Sequence, residues 1–360
     1  MFLAQRDHNN RLMLKLTVVV VSYNVISLLR DCLESVAVSA AASADWLAVE
    51  VVVVDNASGD GSPAMVAADF PHVRLIASDA NLGFTGGNNL ALHALGFSSP
   101  GNEPTDTPIS SPQSPLPNRQ SPIPDFILLL NPDTLVKADA LGQMATFLRD
   151  NPRVGAVGAH LSYGDGRFQH AAFRFPGLAQ VVLDLLPLAD LPGIRHFLPT
   201  LLNSPLNGRY PAALWQGTDA FPVDFVLGAA LMVRGEAIRQ VGLLDGGYFM
   251  YCEEMDWCLR LAEAGWSVYA LPTAHIAHLE AQSSRQVRWG TFERLWRSRF
   301  RFYHKQRVHY SGSFLFFLRL LVRVGIGIRI ALARRRYTRG KLSGALLADE
   351  LAAYTAIRRL

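Results

Sequence analysis

Apolar runs alternate with amphipathic segments along the first 280 or so residues of the chain. Four short runs are predominantly apolar or β-branched, as in buried parallel strands: residues 17–21, 49–54, 73–77 and 126–130. The segments between them favour helices, the first over residues 25–38. This alternation predicts an α/β fold with a doubly wound, mostly parallel central sheet. Ligands of such a sheet bind at the carboxyl ends of its strands.

Polar residues stand where these predicted strands end. Ser22-Tyr23-Asn24 follows the first strand, Asp55 the second, and a glycine-rich loop over residues 81–89 lies between the third strand and a helix over 90–95. Asn131-Pro132-Asp133 ends the fourth. A carboxylate at the open end of a sheet is a candidate metal ligand, although Asn-Pro-Asp is also a common turn. Asp133 is that candidate.

From residue 223 onward the sequence again has a regular hydrophobic pattern. This pattern leads to a predicted helix over 253–264, with Gly265 as its C-terminal cap. Glu253, Glu254 and Asp256 lie in its first turn, where the helix dipole keeps carboxylates ionised. Acids are also ordinary at helix starts. Two short strands follow, over 267–271 and 273–277, the second ending at His278.

Two segments lack this periodicity. Residues 98–124 hold eight prolines among serines, asparagines and glutamines, which predicts a disordered insertion or, alternatively, a proline-rich docking site. Residues 160–222 mix aromatic residues with prolines and glycines and predict a variable, acceptor-facing segment. We therefore expect one domain over 1–284 and a helical tail over 285–360.

The net charge of +4 is the sum of two segments of opposite net charge. Residues 285–360 hold 18 lysines and arginines against three acids, a net charge of +15, whereas residues 1–284 carry −11. Such a tail predicts an anionic partner, either a membrane or nucleic acid. Nucleic acid is the weaker alternative because no recognisable reading module accompanies the charge.

Residues 314–333 resemble a membrane span in composition, but their three arginines oppose insertion. On a helical wheel Arg319, Arg323, Arg329 and Arg334 fall within an arc of about 140°, which leaves an apolar face. This pattern predicts a helix lying in the membrane interface, and each cation near anionic lipid adds about 1 kcal/mol. A helix packed entirely within the protein is the alternative.

Other features exclude whole classes of protein. Three cysteines without a Cys-x-x-Cys pair argue against a disulfide framework or a structural zinc site, and fit a reducing cytoplasm. The N-terminus lacks the apolar core of a signal peptide. Gly83, Gly86 and Gly87 do not have the Gly-x-Gly-x-x-Gly spacing, which disfavours a nicotinamide dehydrogenase.

Taken together and in order, these blocks resemble the family 2 glycosyltransferases, inverting enzymes of the GT-A fold, and most closely their bacterial rhamnosyltransferase-like branch. Four blocks carry the resemblance: 22–24, 55–58, 81–89, and 131–133 with the later Asp245, Glu253-Glu254-Met255-Asp256 and His278. It extends from residue 17 to about residue 284.

The resemblance implies a nucleotide-sugar donor. Tyr23 would stack on a pyrimidine and Asp55 would accept its N3–H, which selects a UDP- or dTDP-sugar. Core packing is the alternative for Tyr23. The other residues implied to line the donor are Ser22, Asn24, Asn81, Gly83, Phe84, Asn88, Asn131 and Asp133.

The resemblance also implies a divalent cation and a base. Asp133 and His278 would hold Mg²⁺ or Mn²⁺ against the diphosphate, with His275 as the competitor of His278. Glu254 would take the proton from the acceptor hydroxyl, and Asp256 is the runner-up.

The partners implied are a glycan or lipid-linked acceptor and an anionic membrane surface, with no nucleic acid. We expect a peripheral protein on the cytoplasmic face of the inner (plasma) membrane. A nucleotide-sugar-binding protein without turnover and a basic membrane-scaffolding protein are the alternatives. Rhamnose as the donor sugar rests on the resemblance alone.

Overall fold

A computed structural model describes residues 13–99, 123–186, 188, 193–279 and 288–360. The chain divides into two compact units. The first comprises residues 1–172, 212–249 and 253–283, and the second comprises 173–211, 250–252 and 284–360. Most of the predicted insertion over 98–124 lies outside the described residues.

The secondary structure of the described residues alternates as the sequence predicts. The strands are β1 Leu14–Ser22, β2 Leu47–Asp55, β3 Arg74–Ala77, β4 Phe126–Leu130, β5 Thr134–Val136, β6 Val154–Ser162, β7 Phe168–Gln169, β8 Ala172–Phe173, β9 Phe221–Pro222, β10 Phe225–Val226, β11 Ala230–Arg234 and β12 Ser267–His278. The helices are α1 Ile26–Ala41, α2 Ser62–Asp69, α3 Gly83–Ala94, α4 Ala140–Asp150, α5 Leu178–Leu185, α6 Leu198–Leu202, α7 Ala212–Trp215, α8 Gly235–Val241, α9 Glu253–Glu263, α10 Arg288–Lys305, α11 Gly312–Thr338 and α12 Gly344–Arg358.

The first unit is built on one twisted sheet in the order β3-β2-β1-β4-β11-β6-β12-β5. Strands β3, β2, β1 and β4 are parallel, as are β6 and β12, whereas β11 and β5 run antiparallel to their neighbours. Every residue of β4 is buried, as expected of a strand covered on both faces. The predicted α/β class with a mostly parallel sheet is confirmed.

The strand register gathers the polar ends of the parallel strands at one edge. Ser22 lies opposite Asp55, and Asp55 lies opposite Ala77. On the other side of β1, Val20 pairs with Leu130, so Asn131 follows directly beyond the last paired position. The carboxyl edge therefore presents residues from β1, β2 and β4 side by side.

The structure differs from the prediction at the glycine-rich segment, where the helix begins at Gly83 rather than at Leu90. A Cβ added at Gly87 would lie 2.6 Å from Cγ1 of Val21, so α3 can approach β1 only with glycine there. The glycines serve close helix-to-strand packing in addition to any contact with ligand.

Strand β12 also differs, because the two predicted strands form one strand whose pairing with β6 shifts between Leu271 and His275. The continuous strand still ends at His278. As predicted, α9 ends before Gly265, which has the positive φ of a left-handed C-terminal residue.

The second unit is helical. Helix α11 packs on α5 and α12, and its buried residues are Leu315, Leu318, Val322, Gly325, Ile326 and Ala333. Arg329 is held inside the unit, where it donates to the carbonyl oxygens of Leu185 and Asp184. None of the helices described is both long and apolar enough to cross a membrane.

Candidate active site

Two buried polar atoms face each other across β1 and β2. Ser22 and Asp55 are almost fully buried. Oδ2 of Asp55 accepts a hydrogen bond of 2.9 Å from the backbone N–H of Ser58. Oδ1 of Asp55 and Oγ of Ser22 have no hydrogen-bond partner among the described residues. Buried polar atoms are normally paired, so this pair is suited to a ligand with complementary donors and acceptors.

The turn after β1 presents Tyr23 at the surface. Asn24 has a positive φ of 53°, its N–H donates to Oγ of Ser58 at 3.0 Å, and its Oδ1 accepts from the N–H of Gly59 at 2.8 Å. These hydrogen bonds fix the backbone of Asn24, the residue that follows Tyr23 in the turn. The Tyr23 side chain is 42% exposed, so the alternative of core packing does not describe it.

The first turn of α3 is braced by its neighbours. Oδ1 of Asn81 accepts from the N–H of Gly83 at 2.9 Å, and Nδ2 of Asn56 donates to the carbonyl oxygen of Gly83 at 2.9 Å. The N–H of Phe84 donates to the carbonyl oxygen of Phe249 at 3.0 Å. Gly83 has a positive φ of 72°, and a Cβ there would collide with that same carbonyl oxygen.

Asn88, also predicted to line the donor, is buried within α3. Its Nδ2 donates to the carbonyl oxygen of Phe84, four residues earlier, at 2.8 Å. The amide therefore stabilises the first turns of the helix. Asn56 belongs to the block 55–58, but the sequence assigns it no role, and the Phe249 carbonyl carries no sequence signal at all.

The ends of β4 and β12 bring three predicted residues together. Oδ1 of Asp133 lies 3.3 Å from Nε2 of His278, and Nδ2 of Asn131 lies 3.2 Å from the same nitrogen. The carbonyl oxygen of Asp133 also accepts from the N–H of Leu279 at 2.8 Å. The Asp133 and His278 side chains are 14% and 7% exposed. They are thus sheltered, with Asp133 the more open of the two.

The hydrogen-bond partners of His278 indicate which ring nitrogen carries the proton. Nδ1 lies 3.1 Å from Oε1 of Gln169, an acceptor, and this contact favours the tautomer in which Nδ1 carries the proton. Nε2 of the neutral ring then carries a lone pair, which accepts from Asn131. A cation held by that lone pair and by Oδ1 of Asp133 would take the place of the hydrogen bond from Asn131.

His275, the competing histidine, lies elsewhere. Its side chain is exposed, its ring centroid is 4.6 Å from that of His160, and its carbonyl oxygen accepts from the N–H of Lys137 at 3.2 Å. Of the two histidines, His278 is therefore the one beside Asp133.

The first turn of α9 buries its acids. Burial raises the pKa of Glu254 to about 7 from an ordinary value of 4.5, although hydrogen bonds from the backbone N–H groups of Glu254 and Met255 oppose the rise. Oε2 of Glu254 has no hydrogen-bond partner among the described residues. Glu254 is thus a carboxylate with a free oxygen and a pKa near neutrality.

Asp256 has a different environment. Its Oδ2 accepts from Nε of Arg260 at 3.0 Å, and the same guanidinium donates to the carbonyl oxygens of Val241 at 2.6 Å and Leu243 at 2.7 Å. Asp256 therefore anchors the loop before α9, whereas Glu254 keeps an oxygen without a hydrogen-bond partner among the described residues.

The segment Gly228-Ala229 connects the two groups of residues. The N–H of Asn131 donates to the carbonyl oxygen of Ala229 at 3.0 Å. A Cβ added at Gly228 would lie 3.2 Å from Cζ of Phe84 and 3.7 Å from Cβ of Glu254. Asn131, the Phe84 ring and the Cβ of Glu254 therefore lie around two adjacent backbone residues.

These residues fit a divalent cation that is shared with a substrate. The described residues contain no group of three or more histidine, cysteine, aspartate or glutamate side chains that could hold a metal ion by themselves. Asp133 and His278 supply one oxygen and one nitrogen, and Mg²⁺ or Mn²⁺ commonly completes such a site with substrate phosphates and water.

Comparison with known proteins relates part of this sequence to one family. Residues 17–95, which span β1 to α3, match the family described as Glycosyl transferase family 2. The N-acetylglucosaminyl-diphospho-decaprenol L-rhamnosyltransferase of Mycobacterium tuberculosis is 28% identical over 237 residues, covering 66% of this chain and 68% of the relative. Rhamnosyltransferase WbbL of Escherichia coli is 27% identical over 192 residues, covering 53% of this chain and 66% of the relative.

Among solved structures, the mannosyltransferase PcManGT from Pyrobaculum calidifontis, in complex with GDP-Man and Mn²⁺, has a similar fold. The TM-score is 0.52 at 16% sequence identity, and the match covers 98% of this chain and 88% of that chain.

Proposed function

Because this chain carries a family 2 glycosyltransferase domain on a GT-A fold, we propose that it is a metal-dependent inverting glycosyltransferase. The donor is a UDP- or dTDP-sugar, with rhamnose as the first candidate because two relatives are described as rhamnosyltransferases. The observation that carries the proposal is the Asp133–His278 pair at the carboxyl edge of the sheet, 3.3 Å between Oδ1 and Nε2. Beside it, the N–H of Asn131 is bonded to Ala229, and the Cβ of Glu254 lies against the adjacent Gly228.

In the proposed mechanism, Tyr23 and Asp55 hold the pyrimidine. The buried and unpaired Oδ1 of Asp55 accepts the N3–H of uracil or thymine, and the exposed Tyr23 ring provides a stacking surface. Asp133 and His278 would hold Mg²⁺ or Mn²⁺, which when bound neutralises the charge that develops on the departing nucleoside diphosphate. The contacts to the pyrimidine and to the diphosphate would both be in place before the sugar–phosphate bond breaks and while it breaks.

Glu254 acts on the acceptor. Its free Oε2 takes the proton of the acceptor hydroxyl while the hydroxyl oxygen bonds to the anomeric carbon and the bond to the phosphate oxygen breaks. Attack on the face opposite the leaving group inverts the anomeric configuration. A pKa near 7 allows Glu254 to be ionised before reaction and still basic enough to accept a proton.

The acceptor proposed is a lipid-linked glycan, as the name of the mycobacterial relative suggests. The helical unit offers a surface for the membrane that carries such a lipid. Five exposed apolar side chains repeat along one side of α11: Phe316, Phe317, Leu320, Val324 and Ile328. We call them the α11 stripe. Its repeat at three and four residues forms one helix face.

The α11 stripe lies on the opposite side of the helix from the buried residues that pack within the unit, so the stripe remains exposed. The exposed side chains of Arg319 and Arg323 belong to the same helix. An apolar face with adjacent cations is suited to an anionic membrane interface. We propose that the protein binds the cytoplasmic face of the inner membrane peripherally through this stripe.

Transfer assays with a panel of nucleotide sugars and a polyprenyl-diphosphate-linked acceptor test the proposal. The wild type should transfer one sugar with inversion, and Glu254→Gln should bind the donor with unchanged affinity but lose activity by at least about 100-fold. Nucleotide-sugar binding without transfer or donor hydrolysis in the wild type would instead favour a protein that binds without turnover.

A further inference from the structure

Gln169 reaches His278 through the sheet. It lies on β7, which pairs antiparallel with β6 so that Gln169 is opposite Leu161. Leu161 is in turn opposite Ile276 of β12, two residues before His278 and therefore on the same face of that strand. Gln169 and His278 are both buried, with 3.1 Å between Oε1 and Nδ1. The register thus fixes an amide oxygen against one ring nitrogen.

We propose that Gln169 is a positioning residue that keeps the proton of His278 on Nδ1, so that the lone pair of Nε2 can bind the cation in exchange for its hydrogen bond from Asn131. The inference rests on the proposed function, in which Asp133 and His278 hold a divalent ion. A ligand histidine is commonly oriented by the partner of its other nitrogen, and loss of that partner weakens metal binding. Here that partner is a neutral amide.

The surroundings of Nε2 support the same proton position. Asn131 presents its Nδ2 donor to Nε2 at 3.2 Å, which requires a lone pair on that nitrogen. If the proton moved to Nε2, it would point at Oδ1 of Asp133, 3.3 Å away, and occupy the space between the two metal ligands. Gln169 therefore prevents a hydrogen bond that would compete with the cation.

Two substitutions separate this role from simple packing. Gln169→Met keeps a similar length but removes the acceptor, whereas Gln169→Glu keeps an acceptor oxygen. Gln240→Met is the matched control, because the Oε1 of Gln240 accepts from the indole of Trp266 at an exposed position.

The first readout is the tautomer of His278 in metal-free protein, observed by NMR of ¹⁵N-histidine-labelled samples and assigned with a His278→Gln variant. We expect the proton on Nδ1 in the wild type and in Gln169→Glu, and a shift toward Nε2 in Gln169→Met. A wild-type ring protonated on Nε2 would overturn the proposal whether or not the variants fold.

The second readout is Mn²⁺ affinity, titrated by electron paramagnetic resonance with UDP and separately with dTDP. Gln169→Met should weaken Mn²⁺ binding by about 10- to 100-fold, Gln169→Glu should restore it to within a few-fold of the wild type, and Gln240→Met should leave it unchanged. Equal affinity in wild type and Gln169→Met refutes the role of Gln169 alone. A wild type that binds no Mn²⁺ with either nucleotide refutes the proposed function itself.

Discussion

Glu254 has to be ionised to accept a proton, yet it is buried in the first turn of α9. The helix start opposes the cost of burial through backbone N–H groups, and the balance leaves a pKa of about 7. Asp256, two residues on, is instead bound to Arg260. Two neighbouring carboxylates thus have different environments, and this difference assigns their proposed roles.

The pKa of Glu254 predicts a pH dependence. Below pH 7 the proposed base is increasingly protonated, so kcat/KM should fall about tenfold per pH unit, and above pH 7 it should level off. A pH–rate profile from pH 5 to 9 checks this. A profile that stays flat down to pH 5 would exclude Glu254 as the base.

The same pKa predicts an effect on stability. Because the folded pKa lies above the ordinary 4.5, ionisation of Glu254 costs folding stability as pH rises from about 4.5 to 7, and the full cost remains above 7. Glu254→Gln removes this cost, so its Tm should exceed that of the wild type at pH 8 and the difference should shrink at pH 5. Thermal melts at both pH values measure it, and an equal difference at both would contradict the expectation.

Several residues that shape the site were outside the reach of sequence patterns. Asp133 is a candidate because it follows an apolar run, whereas the roles of Asp55 and His278 are implied by the family resemblance. Gln169 lies in a segment whose periodicity predicted nothing, and it reaches His278 only through the pairing of β7, β6 and β12. Contacts made through sheet register between distant segments leave no local signal in a sequence.

At the scale of elements, the hydrophobic pattern of the sequence predicts the bounds of strands and helices best where an element is continuous and strongly patterned. Strand β4 has the predicted bounds, and α9 and Gly265 follow the predicted helix and cap. Short elements such as β5 and β7 were not predicted, because strands of two or three residues carry too little periodicity. Helix α3 begins earlier than predicted, since tertiary packing against Val21 overrides the poor helix propensity of glycine.

Gly83 offers a test of how α3 is positioned. Gly83→Ala forces a side chain into a positive φ and against the carbonyl oxygen of Phe249, so it should lower the free energy of unfolding by more than about 1–2 kcal/mol. Gly59→Ala is the matched control, because a Cβ there meets nothing within 4 Å. Urea unfolding of both variants gives the comparison, and equal stability of the two would contradict the proposed constraint.

The α11 stripe gives a second prediction about an element. Leu320→Gln with Val324→Gln removes two exposed apolar side chains without disturbing the packed face, and should weaken binding to phosphatidylglycerol-containing vesicles by about tenfold or more. Vesicle co-sedimentation measures the loss. Val308→Gln, at a 95% exposed position outside the α11 stripe, should bind as the wild type does. Unchanged binding of the double variant would remove the stripe as the membrane contact.

At the scale of the molecule, the resemblance to family 2 glycosyltransferases predicted from the sequence is confirmed, as is the GT-A fold. The division into a body over 1–284 and a tail over 285–360 stays a prediction. The structure groups residues 173–211 with the tail helices, because α5 packs on α11. Composition could not indicate this, since the segment carries neither the charge nor the periodicity of the tail.

In the proposed mechanism, Asp133 and His278 hold a cation that couples the donor to the protein. Calorimetric titration of UDP or dTDP with and without Mn²⁺ tests it most directly, in the wild type, in His278→Ala and in Glu254→Gln. We predict that Mn²⁺ strengthens nucleotide binding at least about tenfold in the wild type and in Glu254→Gln but not in His278→Ala. Nucleotide binding that is the same with and without Mn²⁺, or a His278→Ala variant that keeps the full effect of Mn²⁺, would contradict the account.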